Sequence, residues 1–267
     1  MPKALFLSLS GLISLVPGSV LSYRREAPRP DVVFWAVTAA AVAGPTAAAV
    51  AQLGDTWQTG LSLALWISVA ASMAIFALLA LIDREAWRLM PLLLPYLLLL
   101  GVLATVWSNV PGRAGLSAPP DAWLTAHIAV SVATYGLCTI AAVAGAAVLL
   151  QERAVKRKRP SALTHRLPSI SDASRLQLRL LAASEGVLAL GILTGMAEQR
   201  LTSGHLLEFD HKTLLSILAF AVIGLLLVVH QRTGLRGQRA ARLVLLAYLL
   251  LTLAYPGVKF VTDVLIG

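Results

Sequence analysis

His127, Ser131 and Tyr135 stand four residues apart in the run Trp123-Leu-Thr-Ala-His127-Ile-Ala-Val-Ser131-Val-Ala-Thr-Tyr135. In a helix a step of four turns the side chain by only about 40°, so the three share one face. A polar stripe on an apolar helix belongs against protein, and an imidazole backed by two hydroxyls has the chemistry to bind a metal or a polar ligand. A second histidine, His211, heads a later apolar run in Asp210-His211-Lys212-Thr213. That run ends at His230, about 28 Å away at helical rise, so one helix carries an imidazole at each end. His205, after Gly204, and His165, in a basic segment, complete the histidines.

These groups need elements to position them, and the composition says which kind. The chain has 267 residues, 58% hydrophobic and 13% charged, with a mean hydropathy of +0.78. Soluble domains carry about 45–50% apolar and about 25% charged residues, so a soluble globular enzyme is excluded. Continuous apolar runs fall near 5–22, 33–53, 61–82, 90–107, 123–150, 178–198, 213–230 and 243–262. Each reaches the ~20 residues that cross a bilayer as a helix, whereas barrel strands would alternate over about 10. The expected fold is an all-α polytopic membrane bundle of about eight transmembrane helices. It divides into an N-terminal four-helix region, 1–118, and a C-terminal four-helix region, 119–267, within one integral membrane domain. No nucleophile elbow, phosphate loop or dinucleotide fingerprint is present. One cysteine, Cys138, excludes an intrachain disulfide and a multi-cysteine metal site.

The net charge of +9 is distributed unevenly. Most basic residues occupy alternate connections: Arg24, Arg25 and Arg29; Arg84 and Arg88; Arg153, Lys156, Arg157, Lys158, Arg159, Arg166, Arg175 and Arg179; and Arg232, Arg236, Arg239 and Arg242. The other face holds Lys3, Arg113, Arg200, Lys212 and Lys259. The positive-inside rule places the four basic connections in the cytoplasm and both termini in the periplasm of a bacterial inner membrane. The same rule reads the first apolar run as a retained span rather than a cleaved signal, because three arginines follow it and one lysine precedes it. Gln151 to about Leu178 is the largest expected soluble piece. Its Lys156, Arg157, Lys158 and Arg159 cluster suits anionic lipid, and it has no aromatic platform for nucleic acid.

With that topology His127 and His211 lie at the outer surface, on different helices and at similar depth. Two imidazoles facing each other across a crevice are the usual way to hold a six-coordinate haem iron. The alternative is that each is an interfacial residue satisfied by water or lipid headgroups, and His205 competes for either role. Glu185 is the carboxylate well inside a span, read as a structural partner of Arg179, His230 or a hydroxyl, with a proton relay as the other reading. Cys138, in mid-helix, is read as packing.

Five stretches carry a resemblance: His127 to Tyr135; Gly191-Ile-Leu-Thr-Gly195; Asp210-His211-Lys212-Thr213-Leu-Leu-Ser216; His230-Gln-Arg-Thr-Gly-Leu-Arg-Gly237; and Leu253-Ala-Tyr255-Pro-Gly257-Val-Lys-Phe260. In this order and spacing, over roughly 120–265, the chain resembles the cytochrome c assembly family (CcsA-like), in its eight-span YpjD/HemX-type branch. The first four spans share only hydropathy with it and a polar turn at Asp55-Thr-Trp57-Gln-Thr-Gly60. The resemblance implies an inner-membrane protein that binds or handles haem during cytochrome c assembly or maturation. His127 matches the first outer haem histidine of the family's synthases, and His230 a histidine just after the following span. Asp210-His211-Lys212 falls where their tryptophan-rich loop ends in Asp-Pro-Lys.

Two features of the synthases are missing. No tryptophan lies between Gly195 and Asp210, and the chain ends Val261-Thr-Asp-Val-Leu-Ile-Gly267 without the final outer histidine. These departures leave enzyme status open and weigh against a haem-delivering synthase. The expected cofactor is haem b, with His127 and His211 as axial ligands and Ser131 and Tyr135 lining the pocket. Other cytochrome c assembly components are the expected protein partners. The alternative implied by the same branch is a scaffold or regulator of tetrapyrrole metabolism acting through the basic loop.

Overall fold

The computed structural model describes residues 2–24, 29–53, 60–108, 122–203, 211–234 and 237–261, with the side chains of 2–4, 201–203, 211 and 212 outside that description. Every regular element among them is helical. The helices are α1 (Pro2–Arg24), α2 (Val32–Leu53), α3 (Leu61–Ile82), α4 (Met90–Val106), α5 (Ala122–Arg157), α6 (Ala162–Arg166), α7 (Ile170–Ser203), α8 (His211–Thr233), α9 (Gln238–Thr252) and α10 (Val258–Phe260). Eight spans among the described residues are long and apolar enough to cross a membrane, the last running from α9 through a π turn into α10.

Packing follows side-chain size. Helix α1 lies against α2 and α4, and α3 packs on both α2 and α4; α5, α7, α8 and α9 close a second ring, joined to the first mainly through α3 and α5. The 36-residue α5 is the shared wall, and its middle is a run of small residues, Gly136 to Val148, almost all buried. Lipid tails are as apolar as leucine, so small side chains that let backbones approach are what bring such helices together. In the first ring the same device surrounds Trp66, which is fully buried. A Cβ at Gly11 would meet its indole at 3.0 Å, and one at Gly101 at 3.2 Å.

The segment read as a soluble loop is largely helical. Helix α5 runs on to Arg157 and α7 begins at Ile170, so the connection shrinks to about a dozen residues around α6. Residues 170–178 look polar in sequence, yet Ala173, Leu176 and Gln177 are buried at helical spacing. Ser169 starts α7 by accepting from the Asp172 amide at 3.1 Å and donating to its carboxylate at 2.7 Å. Gln151 Nε2 ties the connection down, donating to the carbonyls of Thr164 at 2.9 Å and Pro168 at 3.0 Å. Lys156, Arg157, Lys158 and Arg159 remain exposed at the end of α5.

The last span is interrupted at Leu253–Gly257, a π turn containing Pro256. Proline has no N–H to donate and its ring crowds the preceding turn, so the backbone widens there. A Cβ at Gly257 would sit 3.2 Å from the Thr252 carbonyl oxygen, which makes the small residue the one that fits.

Candidate functional site

A cavity of about 440 Å³ opens between α5, α7, α8 and the π turn, at the end of the bundle away from the basic connections. His127, Ser131 and Tyr135 of α5 all line it, so the four-residue spacing does put them along one wall. Leu188, Ile192 and Leu251 supply apolar surface opposite, and Thr213 and Ser216 bring the first turns of α8 to its edge. The π turn contributes Ala254 and Tyr255.

His127 is half-buried and its orientation is fixed from α7. Its Nδ1 lies 2.9 Å from Thr194 Oγ1. The Thr194 hydroxyl is already within donating distance of the Leu190 carbonyl, at 2.9 Å, and of the Gly191 carbonyl, at 3.1 Å. One hydroxyl has one proton, which the helix carbonyls take, so Oγ1 accepts and Nδ1 carries the hydrogen. In the neutral ring the lone pair is therefore on Nε2. The ring comes close to α7 because residue 195 is glycine: a Cβ there would come 3.1 Å from His127 Cε1.

Tyr135 reaches inward from the cavity wall into a cluster of hydroxyls. Tyr248 of α9 donates to Tyr135 at 3.1 Å, pairs with Tyr96 of α4 at 2.5 Å, and lies 3.1 Å from the Thr139 hydroxyl, whose proton goes to the Tyr135 carbonyl of its own helix at 2.8 Å. Tyr248 is thus the hub that connects both helical rings to the cavity. The sequence reading missed Thr194, Tyr96 and Tyr248. Thr194 lay inside the Gly191 to Gly195 stretch, but nothing in its own run says that it faces His127.

The remaining polar residues separate. His211 opens α8 next to the cavity, with its side chain outside the described residues, as His205 is altogether. His230 is near the opposite end of α8, well away from His127. Glu185 packs its Oε1 where a Cβ on Gly224 would come within 2.9 Å, and its Oε2 is buried without a hydrogen bond among the described residues. Arg179, one of its candidate partners, approaches Asp83 instead, at 3.9 Å. Cys138 is a buried free thiol in the core. Among the described residues no three His, Cys, Asp or Glu side chains gather as a metal cluster.

Comparison with known proteins adds a family. A model described as cytochrome C assembly protein matches residues 34–266, reaching back into α2 and well beyond the stretch on which the sequence resemblance rested. An uncharacterised 28.8 kDa protein of Azospirillum brasilense, from a nifR3-like 5' region, is 52% identical over the whole of both chains. Protein HemX of Brevibacillus brevis is 27% identical over 72% of this chain and 69% of its own. No solved structure matches.

Proposed function

The chain belongs to the cytochrome c assembly protein family, and from that premise we propose that this multi-pass membrane protein binds haem b in the cavity headed by His127. The observation that carries the proposal is the Thr194 contact. A metal-binding histidine ordinarily donates its second ring N–H to a neighbour, which fixes the tautomer and raises the basicity of the free nitrogen. His127 has that arrangement already, with Nδ1 anchored to Thr194 and Nε2 left to ligate.

The surroundings suit the group. About 440 Å³ lies within the ~300–1,000 Å³ of small-molecule and cofactor sites, and the walls are mainly apolar, with a few hydroxyls and the Glu198 and Gln199 side chains among the lining. Haem bound there would supply an iron that takes imidazole nitrogen as its axial ligand. Ser131 and Tyr135 line the pocket beneath His127; Ser131 would offer a hydroxyl to the polar edge of the ligand, while Tyr135 would give it a ring face, its own hydroxyl being taken by Tyr248. His211 would hold the iron as its second imidazole, a role supported by its place two residues before the cavity-lining Thr213.

The basic connections lie at the opposite end of the bundle, so the positive-inside rule puts the cavity on the periplasmic side of the inner membrane, with both termini there. In that position the protein handles haem where cytochromes c are assembled, alongside other assembly components. Lys156, Arg157, Lys158 and Arg159 hold the cytoplasmic end against anionic lipid.

Protein purified in mild detergent should take up haem and give a bis-histidine Soret spectrum. The His127→Ala, His211→Ala double variant should lose it. Wild-type protein that carries no haem and refuses added haem would overturn the reading.

A further inference from the structure

Glu185 stands at the midpoint of the span Ile170–Arg200, on the stripe of α7 that forms the cavity wall. Leu188, Ile192, Gly195 and Gln199 line the cavity at helical spacing, and the next position down that stripe is residue 185. Helix α8 repeats the pattern. Its Thr213 and Ile217 line the cavity, and Gly224 follows seven residues later on the same face. The two stripes meet at this depth, because a Cβ on Gly224 would come within 2.9 Å of Glu185 Oε1. The carboxyl group therefore lies one turn beneath the cavity, in space that a glycine leaves for it.

No cation answers it there. Glu185 Oε2 is buried without a hydrogen bond among the described residues. Residues 181–189 of α7, 220–228 of α8 and 134–142 of α5 contain no Lys, Arg or His. Helix α5 brings the Cys138 thiol within electrostatic reach, together with Tyr135, whose hydroxyl accepts from Tyr248 of α9. Further along α7, Arg179 approaches Asp83 at 3.9 Å and Glu198 lies at the cavity edge. Helix α8 carries His230 and Arg232 in its last turn. An ionised carboxylate held out of water with no counter-charge is so costly that the group takes up a proton instead.

We propose that Glu185 is a proton-binding site at the middle of the membrane, holding a proton at neutral pH and exchanging it with the cavity above. Leu188, at the cavity wall, is three residues away, about 4.5 Å at helical rise. The cytoplasmic start of α7 at Ile170 is fifteen residues away, about 22 Å, so the cavity is the shorter route. Ser131 and Ser216 in its lining can hydrogen-bond the water that delivers the proton. An acid in this place gives the cavity a group whose charge can answer to that of its occupant. The site does not depend on that occupant being haem.

The probe is dicyclohexylcarbodiimide, which partitions into lipid and reacts with protonated carboxyl groups. The acid proton moves to one nitrogen as the carboxyl oxygen bonds to the central carbon, and the acyl group then migrates to the other nitrogen, so nothing leaves. Full-length protein in right-side-out and inverted vesicles should gain one adduct per chain, on the peptide holding Glu185, and Glu185→Gln should gain none. Raising the pH on the periplasmic face should reduce labelling, by about tenfold per unit once the acid ionises, while the same change on the cytoplasmic face leaves it unchanged. Infrared spectra of the purified protein at neutral pH should show a protonated carboxyl band that Glu185→Gln lacks. Wild-type protein without that band, without an adduct at Glu185, or with labelling that follows cytoplasmic pH would each overturn the proposal, whether or not the variant folds.

Discussion

Nδ1 of His127 on α5 lies 2.9 Å from Oγ1 of Thr194 on α7, across 67 residues of sequence. Because the Thr194 proton already belongs to its own helix, this contact sets the tautomer of the imidazole and leaves Nε2 as its lone-pair nitrogen.

Thr194→Val keeps the shape and removes the acceptor. Haem affinity, read from a Soret titration, should fall by about 10–100-fold, the usual cost of losing the group behind a metal-binding histidine. Thr194→Ser should retain most of it. Nitrogen NMR of the haem-free protein should show the His127 tautomer ratio change in the valine variant alone. Equal affinity in all three proteins would mean that the contact does not orient the ligand.

Position 195 is tested by size. A Cβ would stand 3.1 Å from His127 Cε1, so Gly195→Ala asks the ring to shift by a few tenths of an ångström. Gly195→Val adds methyl groups that would push the ring off α7 and break its hydrogen bond. Alanine should weaken haem binding slightly and valine severely, while the thermal melting of the haem-free proteins stays within a few degrees. A valine variant with wild-type affinity would show that the ring need not lie against the helix.

Tyr248→Phe removes the hydroxyl shared by Tyr96, Tyr135 and Thr139. A single interhelical hydrogen bond in a membrane is worth on average about 0.6 kcal/mol, and the bonds to Tyr96 and Tyr135 go together while Thr139 keeps its helix carbonyl, so about 1 kcal/mol should be lost. Tyr96→Phe, which leaves the bond from Tyr248 to Tyr135 in place, should cost less. Unfolding in mixed detergents checks the order; a Tyr96 variant less stable than the Tyr248 variant would contradict the hub assignment.

Glu185 leaves one carboxylate oxygen buried without a hydrogen bond among the described residues. Replacing it with an apolar side chain of similar size removes a desolvation cost of about 1–3 kcal/mol. Glu185→Leu should therefore melt at a higher temperature, with haem affinity unchanged. A lower melting temperature would show that the carboxylate is a needed partner in the membrane.

Topology has its own measurement, made simple by the buried Cys138, which is 2% exposed. In a Cys138→Ala background, a cysteine at the exposed Ser169 should react with an impermeant maleimide only after the membrane is opened. One at the exposed Ala122, at the other end of the bundle, should react in intact spheroplasts. The reverse pattern would invert the orientation.

Much of this protein is decided by sequence alone, because a bilayer imposes a strict rule. Any segment that crosses it must be apolar for about 20 residues and bond its backbone internally, so eight helices could be read from hydropathy. Polar residues in such helices are few enough that the His127, Ser131 and Tyr135 stripe stood out. The helix ends were harder: residues 170–178 have a loop-like composition, and only packing of α7 against α5 makes Ala173, Leu176 and Gln177 a buried face. The N-terminal spans offered apolar length and little else, although the family match extends through most of them. What hydropathy could not supply was pairing. Tyr96 meets Tyr248 across 152 residues, and Thr194 meets His127 across 67. Each is an ordinary polar residue within its own helix, and lipid-facing periodicity is blind to which neighbour it will face. Side-chain size decides that, through the close approach allowed by Gly195 and the small residues of α5. Sequence therefore determined the helices and their polar faces, and tertiary packing decided which of those faces meet.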